Sequence, residues 1–223
     1  MKRVSVVGTV HAEMGLANVS GLLAILERIG PEVIFQEIPA APFDGVFTGE
    51  LEQTAVARYG ENHRVDLIPV DLPTPEGDFF ANDRDLHRRI EKTSADYRRL
   101  VDWYSENVSA HGFAYLNSQE YRDHLSELHE AMLAAIAKDV DHRRFTEIYD
   151  LCIGTDERRD REMMSNIEKH CRQASFSKAA FLVGAAHRPS LIALSRASST
   201  IQWDFAGFLE EPHLTVARHN EEV

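Results

Sequence analysis

Two tetrapeptides of the form Gly-x-x-His stand near opposite ends of the chain, Gly-Thr-Val-His at residues 8–11 and Gly-Ala-Ala-His at residues 184–187. Each follows an apolar run that is typical of a buried strand, over residues 4–7 and 179–183. The pattern predicts a histidine just beyond the carboxyl end of each strand, and this edge of an open α/β sheet is where ligands bind. We therefore expect His11 and His187 to belong to one site.

Two carboxylates also fall at predicted strand ends, Glu37 in the strand over residues 33–38 and Asp71 at the end of residues 65–71. Two imidazoles with one or two carboxylates can hold a divalent metal ion that keeps a position open for water. Such an ion lowers the pKa of its bound water and polarises a carbonyl or phosphoryl group. The sequence predicts a hydrolytic metal site with His11, Glu37 and His187 as ligands, and Asp71 either orienting a histidine or completing the ligand set.

The elements that would position these residues predict an α/β fold with a mostly parallel central sheet flanked by helices. A helix between the first two strands begins near Asn18 or Ser20 and ends at Gly30-Pro31, and its apolar face carries Val19, Leu22, Leu23, Leu26 and Ile29. A strand, a helix and a second strand in succession form a βαβ unit, which implies parallel pairing. Pro69 in the third strand suits a sheet edge, because proline cannot donate to a neighbouring strand.

The middle of the chain changes character. Residues 80–150 are charged and follow helical periodicity, which predicts a large helical insertion within a single α/β domain over residues 1–223. A separate helix is expected from residue 156 to residue 174, with its charged start in solvent. We expect a loop over residues 39–49 and a polar tail from Glu210. The insertion could cover the site or form a homodimer interface, and the sequence favours neither.

Composition excludes some classes of function. The formal net charge is -12, from 36 acidic and 24 basic residues, and nucleic-acid binding normally needs a basic surface. The two cysteines, Cys152 and Cys171, lack CxxC spacing and are expected to be reduced thiols. No apolar stretch has the length of a transmembrane helix or of a signal peptide. We expect a cytoplasmic protein without nucleic-acid or membrane partners, which acts on a peptide or a small molecule.

Three segments carry a family resemblance: residues 7–11 with 31–37, residues 157–160 (Glu-Arg-Arg-Asp), and residues 181–187. Together they resemble the TraB/TIKI-like family, with erythromycin esterase-like and ChaN-like proteins as distant relatives. The resemblance implies an α/β fold with a helical insert and a pocket formed by both Gly-x-x-His segments and Glu37. It also implies divalent-metal peptidase chemistry in which Arg159 either neutralises a substrate oxyanion or holds Glu37. Arg188-Pro189 departs from the apolar residue and glycine that are common after the second histidine in that family.

Three functions are compatible with these residues. The first is a hydrolase of peptidase or esterase type that depends on Mn, Co or Zn held by His11 and His187. In it Glu37 is either a third ligand or the base for the attacking water, and Arg159 stabilises negative charge. The second is a metal-independent, esterase-like hydrolase in which His11 acts as general base beside Glu37. The third is a protein that holds a peptide or a small anion in the same pocket without turnover.

Overall fold

The structure is a computed structural model that describes residues 1–39, 50–73, 75, 77–198, 200–206 and 208–209. Five parallel strands form one sheet in the order β3-β2-β4-β1-β5. The strands are β1 (Lys2–Thr9), β2 (Val33–Pro39), β3 (Asp66–Asp71), β4 (Lys178–Gly184) and β5 (Ile201–Asp204). This confirms the predicted α/β fold with a parallel central sheet.

Helices cover both faces of the sheet and fill the long segment between β3 and β4. They are α1 (Val19–Ile29), α2 (Glu50–Asn62), α3 (Phe79–Thr93), α4 (Ala95–Leu116), α5 (Gln119–Lys138), α6 (His142–Gln173) and α7 (Arg188–Ser195). One buried cluster joins α1, α2 and the end of α4 to the sheet, and a second joins α6 and α7 to it. A third cluster lies among α3, α4, α5 and the first half of α6.

The first βαβ unit forms as the sequence predicts. The side chain of Asn18 accepts a hydrogen bond of 2.9 Å from the amide of Gly21 and so caps α1. Gly30 ends this helix in the left-handed conformation with φ 60°, which glycine adopts without steric cost. Pro69 lies in β3 at the edge of the sheet. A proline is tolerated there because no further strand needs the amide hydrogen that it lacks.

The predicted start of a separate helix at residue 156 is wrong, because α6 runs unbroken from residue 142 to residue 173. Gly154 lies inside this helix at a cost of about 1 kcal/mol relative to alanine. Burial of Phe145 and Ile148 in the insertion and of Met163 and Ile167 against the sheet outweighs that cost. One helix therefore connects the insertion to the sheet, and the charged run lies at its middle and not at its exposed start.

Of the loop predicted over residues 39–49, the structure describes only Pro39, which is the last residue of β2. The remainder of that loop and the polar tail from Glu210 lie outside the described residues. Within the part of the chain that the structure describes, no helix combines the length and the apolar composition that crossing a bilayer requires.

Candidate functional site

A pocket opens at the carboxyl ends of the strands, where the sequence predicts the site. Four of the five predicted site residues line it: His11, Glu37, Asp71 and Arg159. They come from the loop after β1, from the ends of β2 and β3, and from α6. The parallel sheet brings them together because it aligns the carboxyl ends of its strands on one edge.

The carboxylate of Glu37 is held by three donors. Its Oε2 accepts a hydrogen bond of 2.6 Å from the amide of Gly184, and its Oε1 lies 2.6 Å from Arg159 Nη2 and 3.3 Å from His187 Nε2. Burial by itself raises the pKa of Glu37, but the hydrogen bond and charge of His187, the charge of Arg159 and the Gly184 amide together lower it to about 2. Glu37 is therefore ionised, with its acceptor oxygens already in use.

Arg159 is surrounded by carboxylates. Its Nη2 lies 2.7 Å from Asp71 Oδ2 as well as 2.6 Å from Glu37, and its Nη1 lies 3.1 Å from Asp156 Oδ1. Burial by itself lowers the pKa of Arg159, and the hydrogen bond with Asp71 and the three nearby carboxylate charges raise it above its usual value. Of the two roles that the resemblance implies, this geometry matches the one in which Arg159 holds Glu37.

His187 is buried between two carboxylates and is not among the residues that line this pocket. Its Nδ1 is 2.7 Å from Asp160 Oδ1, and its Nε2 faces Glu37. Burial by itself lowers the pKa of His187, but hydrogen bonds with Asp160 and Glu37 and their charges raise it to about 10. His187 is therefore an imidazolium at neutral pH. Its ion pairs with Asp160 and Glu37 link α6 to the end of β2.

His11 has a different environment. Its side chain is half exposed, and its Nδ1 lies 3.5 Å from Glu52 Oε1. The same oxygen of Glu52 accepts a hydrogen bond of 2.7 Å from the hydroxyl of Thr9. Glu52 is the largest influence on His11 and raises its pKa; Glu37 adds to this, while burial and Arg159 oppose it. A strand-end histidine with a fixed carboxylate behind it is an arrangement suited to proton transfer.

The predicted metal ligands are only partly brought together. Glu37 and His187 are in contact, whereas His11 pairs with Glu52. Among the described residues, no group of three or more His, Cys, Asp or Glu side chains is arranged to hold a metal ion. The side chains as they stand do not fit the ligand set of His11, Glu37 and His187, so the metal site stays a prediction.

The two Gly-x-x-His segments differ in what their glycines do. A Cβ on Gly184 would lie 3.3 Å from Glu37 Oε2, so this glycine admits the carboxylate to the backbone. A Cβ on Gly8 would overlap the side chain of Arg188. Arg188 is buried and donates from Nη2 to the carbonyl oxygens of Asn117 and Phe205, at 3.0 and 2.9 Å. Arg188, where the resemblance implies an apolar residue, is therefore a core contact and does not line the pocket.

Sequence reasoning missed three carboxylates of this site: Glu52, Asp156 and Asp160. The two aspartates flank Arg159 at helical spacing, so residues 156, 159 and 160 share one face of α6. That spacing is the available signal, although a charged run of this kind is typical of a solvated helix start. Nothing in the sequence indicates Glu52, because it belongs to a helix and is separated in the sequence from the end of every predicted strand.

No protein-family model matches this chain, and neither does any curated protein or any solved structure. The resemblance to the TraB/TIKI-like family therefore stays a prediction, as do the cytoplasmic location and the homodimer.

Proposed function

We propose that the pocket is the active site of a hydrolase of esterase or peptidase type in which His11 is the general base. The observation that carries this proposal is the pairing of His11 with Glu52 at the pocket wall. Of the predicted site residues that line the pocket, His11 is the one whose imidazole is half exposed, while Glu37, Asp71 and Arg159 are bound to each other.

The proposed step is proton transfer from water to the His11 imidazole while the water oxygen attacks a substrate carbonyl carbon. Glu52 stabilises the imidazolium that forms and fixes the ring, and Thr9 in turn fixes Glu52 through its hydroxyl. The bond between the carbonyl carbon and the leaving oxygen or nitrogen then breaks, and the leaving atom takes the proton from His11, which gives a carboxylic acid and an alcohol or amine. Asp71, Glu37 and Arg159 form a rigid floor of the pocket through their mutual ion pairs.

The test is hydrolysis of p-nitrophenyl esters of short acids, measured in excess EDTA with metal-free protein. We expect His11→Asn to lower the rate by at least about a hundredfold, the usual contribution of a positioned base, and Glu52→Gln to lower it by about tenfold or more. The matched control is His111→Asn, which removes an exposed histidine on α4. A wild-type rate no higher than that of His11→Asn would refute the proposal.

Dependence on Mn, Co or Zn is the rival proposal, supported by the resemblance and by the contact between Glu37 and His187. Elemental analysis of the purified protein separates the two. Stoichiometric metal in the wild type that is lost in His11→Ala, with activity that chelation abolishes, would replace the metal-independent mechanism. Equal metal content in the wild type and in His11→Ala would show that His11 is not a metal ligand, and the mechanism with His11 as general base would stand.

A further inference from the structure

We infer that the substrate of this pocket carries a positively charged nitrogen attached to an apolar body. The inference rests on the proposed function for the location of the binding site, and it adds the class of molecule bound. Four properties of the pocket carry it: the carboxylates that hold Arg159, a net negative charge, a carboxylate oxygen of Glu52 without a hydrogen-bond donor among the described residues, and an apolar part of the lining.

Arg159 is the basic side chain among the described residues that line the pocket, apart from the histidine. Each of its three guanidinium nitrogens already donates to a carboxylate: Nε and Nη2 to Asp71, Nη2 also to Glu37, and Nη1 to Asp156. These bonds use four of the five N–H groups of the guanidinium, and the fifth, on Nη1, lies beside Asp156. An anionic ligand would have to displace the largely buried carboxylate of Glu37 or Asp71, or bind that one N–H next to the Asp156 carboxylate. The guanidinium is therefore mostly committed to the protein and is a poor anion receptor.

The charges around the pocket are not balanced. The carboxylates among the described residues that line it are Glu37, Glu52 and Asp71, and the permanent cation among them is Arg159. Three carboxylates against one cation leave two formal negative charges, or one when His11 is protonated. A net negative field in a partly enclosed pocket attracts a cation and repels an anion.

Glu52 supplies a specific acceptor. Its Oε1 is engaged by Thr9 and His11, whereas its Oε2 is buried and has no hydrogen-bond partner among the described residues. The Glu52 side chain is 13% exposed and lines the pocket. A buried acceptor without a donor costs about 1–3 kcal/mol, and rotation of the Glu52 side chain to meet an N–H donor in the pocket removes this cost. An ammonium group there satisfies both the hydrogen-bonding and the charge requirement.

Part of the pocket lining is apolar. It includes Leu72, Pro75, Phe79 and Phe80, and the two phenylalanine rings meet edge to face at 5.2 Å between centroids. Such a lining accommodates a hydrocarbon or aromatic group, and the aromatic faces also tolerate a nearby cation. The pocket thus offers both carboxylates and apolar surface to a ligand, which disfavours a small anion.

The experiment compares benzylamine, benzyl alcohol and benzoate, which share one ring and differ in charge at neutral pH. Ligand-observed NMR titrations at low ionic strength give the dissociation constant of each. We expect the wild-type protein to bind benzylamine at least about tenfold more tightly than benzoate, with benzyl alcohol between them. Glu52→Gln should weaken benzylamine by about fivefold or more and leave benzyl alcohol within about twofold. The control is Glu61→Gln, which removes an exposed carboxylate at the other end of α2 and should leave all three constants unchanged.

Benzoate binding as tight as benzylamine binding, equal losses for amine and alcohol in Glu52→Gln, or no binding of any of the three would each overturn the inference. The wild-type ranking decides this even if the variant fails to fold. Binding is measured without turnover, so a cation preference in a protein that hydrolyses no ester refutes the proposed function alone. Ester hydrolysis without a cation preference refutes the substrate class alone.

Discussion

Arg159 Nη2 lies 2.6 Å from Glu37 Oε1 and ties the middle of α6 to the carboxyl end of β2. The two residues are 122 positions apart in the chain, and their side chains are 22% and 10% exposed. The same guanidinium holds Asp71 at the end of β3. These ion pairs join α6 to two neighbouring strands of the sheet, β2 and β3, in addition to the apolar contacts of Met163 and Ile167.

Removing that guanidinium should cost more stability than removing any surface charge. We expect Arg159→Met to lower the free energy of unfolding by about 3 kcal/mol, because it removes the guanidinium charge from the largely buried carboxylates of Glu37 and Asp71. Urea denaturation at neutral pH measures this. The control is Arg161→Met, which breaks an exposed pair with Glu157 on the same helix and should cost under about 1 kcal/mol. Equal losses for the two variants would contradict the buried network.

The pairing of His187 with Asp160 and Glu37 predicts how stability depends on alkaline pH. The pKa of His187 is raised from 6.5 to about 10 in the folded protein, so its stabilising effect is complete below pH 6.5 and is lost as the pH rises toward 10. We expect the stability of the wild type to fall over this range and that of His187→Gln to fall much less. Urea midpoints across the range measure it, with His111→Asn as control. Parallel curves for wild type and His187→Gln would show that His187 is not charged.

On the acid side the same network acts through Glu37. Its pKa is lowered from 4.5 to about 2 on folding, so the carboxylate contributes stability above pH 4.5 that is lost as the pH falls toward 2. Glu37→Gln should therefore be less stable than the wild type at neutral pH, with the difference narrowing below pH 4.5. Thermal unfolding of both proteins at neutral pH and at several values below pH 4.5 checks this. A difference that stays constant down to pH 2 would exclude an ionised Glu37.

Replacing Gly8 by alanine tests the packing role of the first Gly-x-x-His segment, and the same replacement at Gly154 is expected to change the free energy of unfolding in the opposite direction. Gly8→Ala places a Cβ against the Arg188 side chain, and we expect it to lower the free energy of unfolding by about 2 kcal/mol through overpacking. A Cβ on Gly154 in α6 would point into open space, so Gly154→Ala should raise stability by about 0.5–1 kcal/mol. Urea denaturation of both variants measures the two effects. A Gly8→Ala variant as stable as the wild type would remove the packing role assigned to Gly8.

The amino-acid sequence by itself determined β1 to β4, the first βαβ unit and the edge of the sheet at which the candidate site is expected. Asn18 and Gly30 bound α1 through local capping, and Pro69 indicates a sheet edge through its missing donor. His11, Glu37 and Asp71 were found because a parallel sheet collects its strand ends, a rule that needs only the order of apolar runs and polar residues.

Only the tertiary structure decided which of these residues are paired. His11 pairs with Glu52 and not with Glu37, and His187 pairs with Asp160 on α6 as well as with Glu37. Sequence periodicity fixes which face a residue occupies within its own element, whereas the separation between side chains on different elements depends on how helices pack against the sheet. Because of that packing, the histidine of the first Gly-x-x-His segment is half exposed at the pocket, whereas the histidine of the second is charged and buried between two carboxylates.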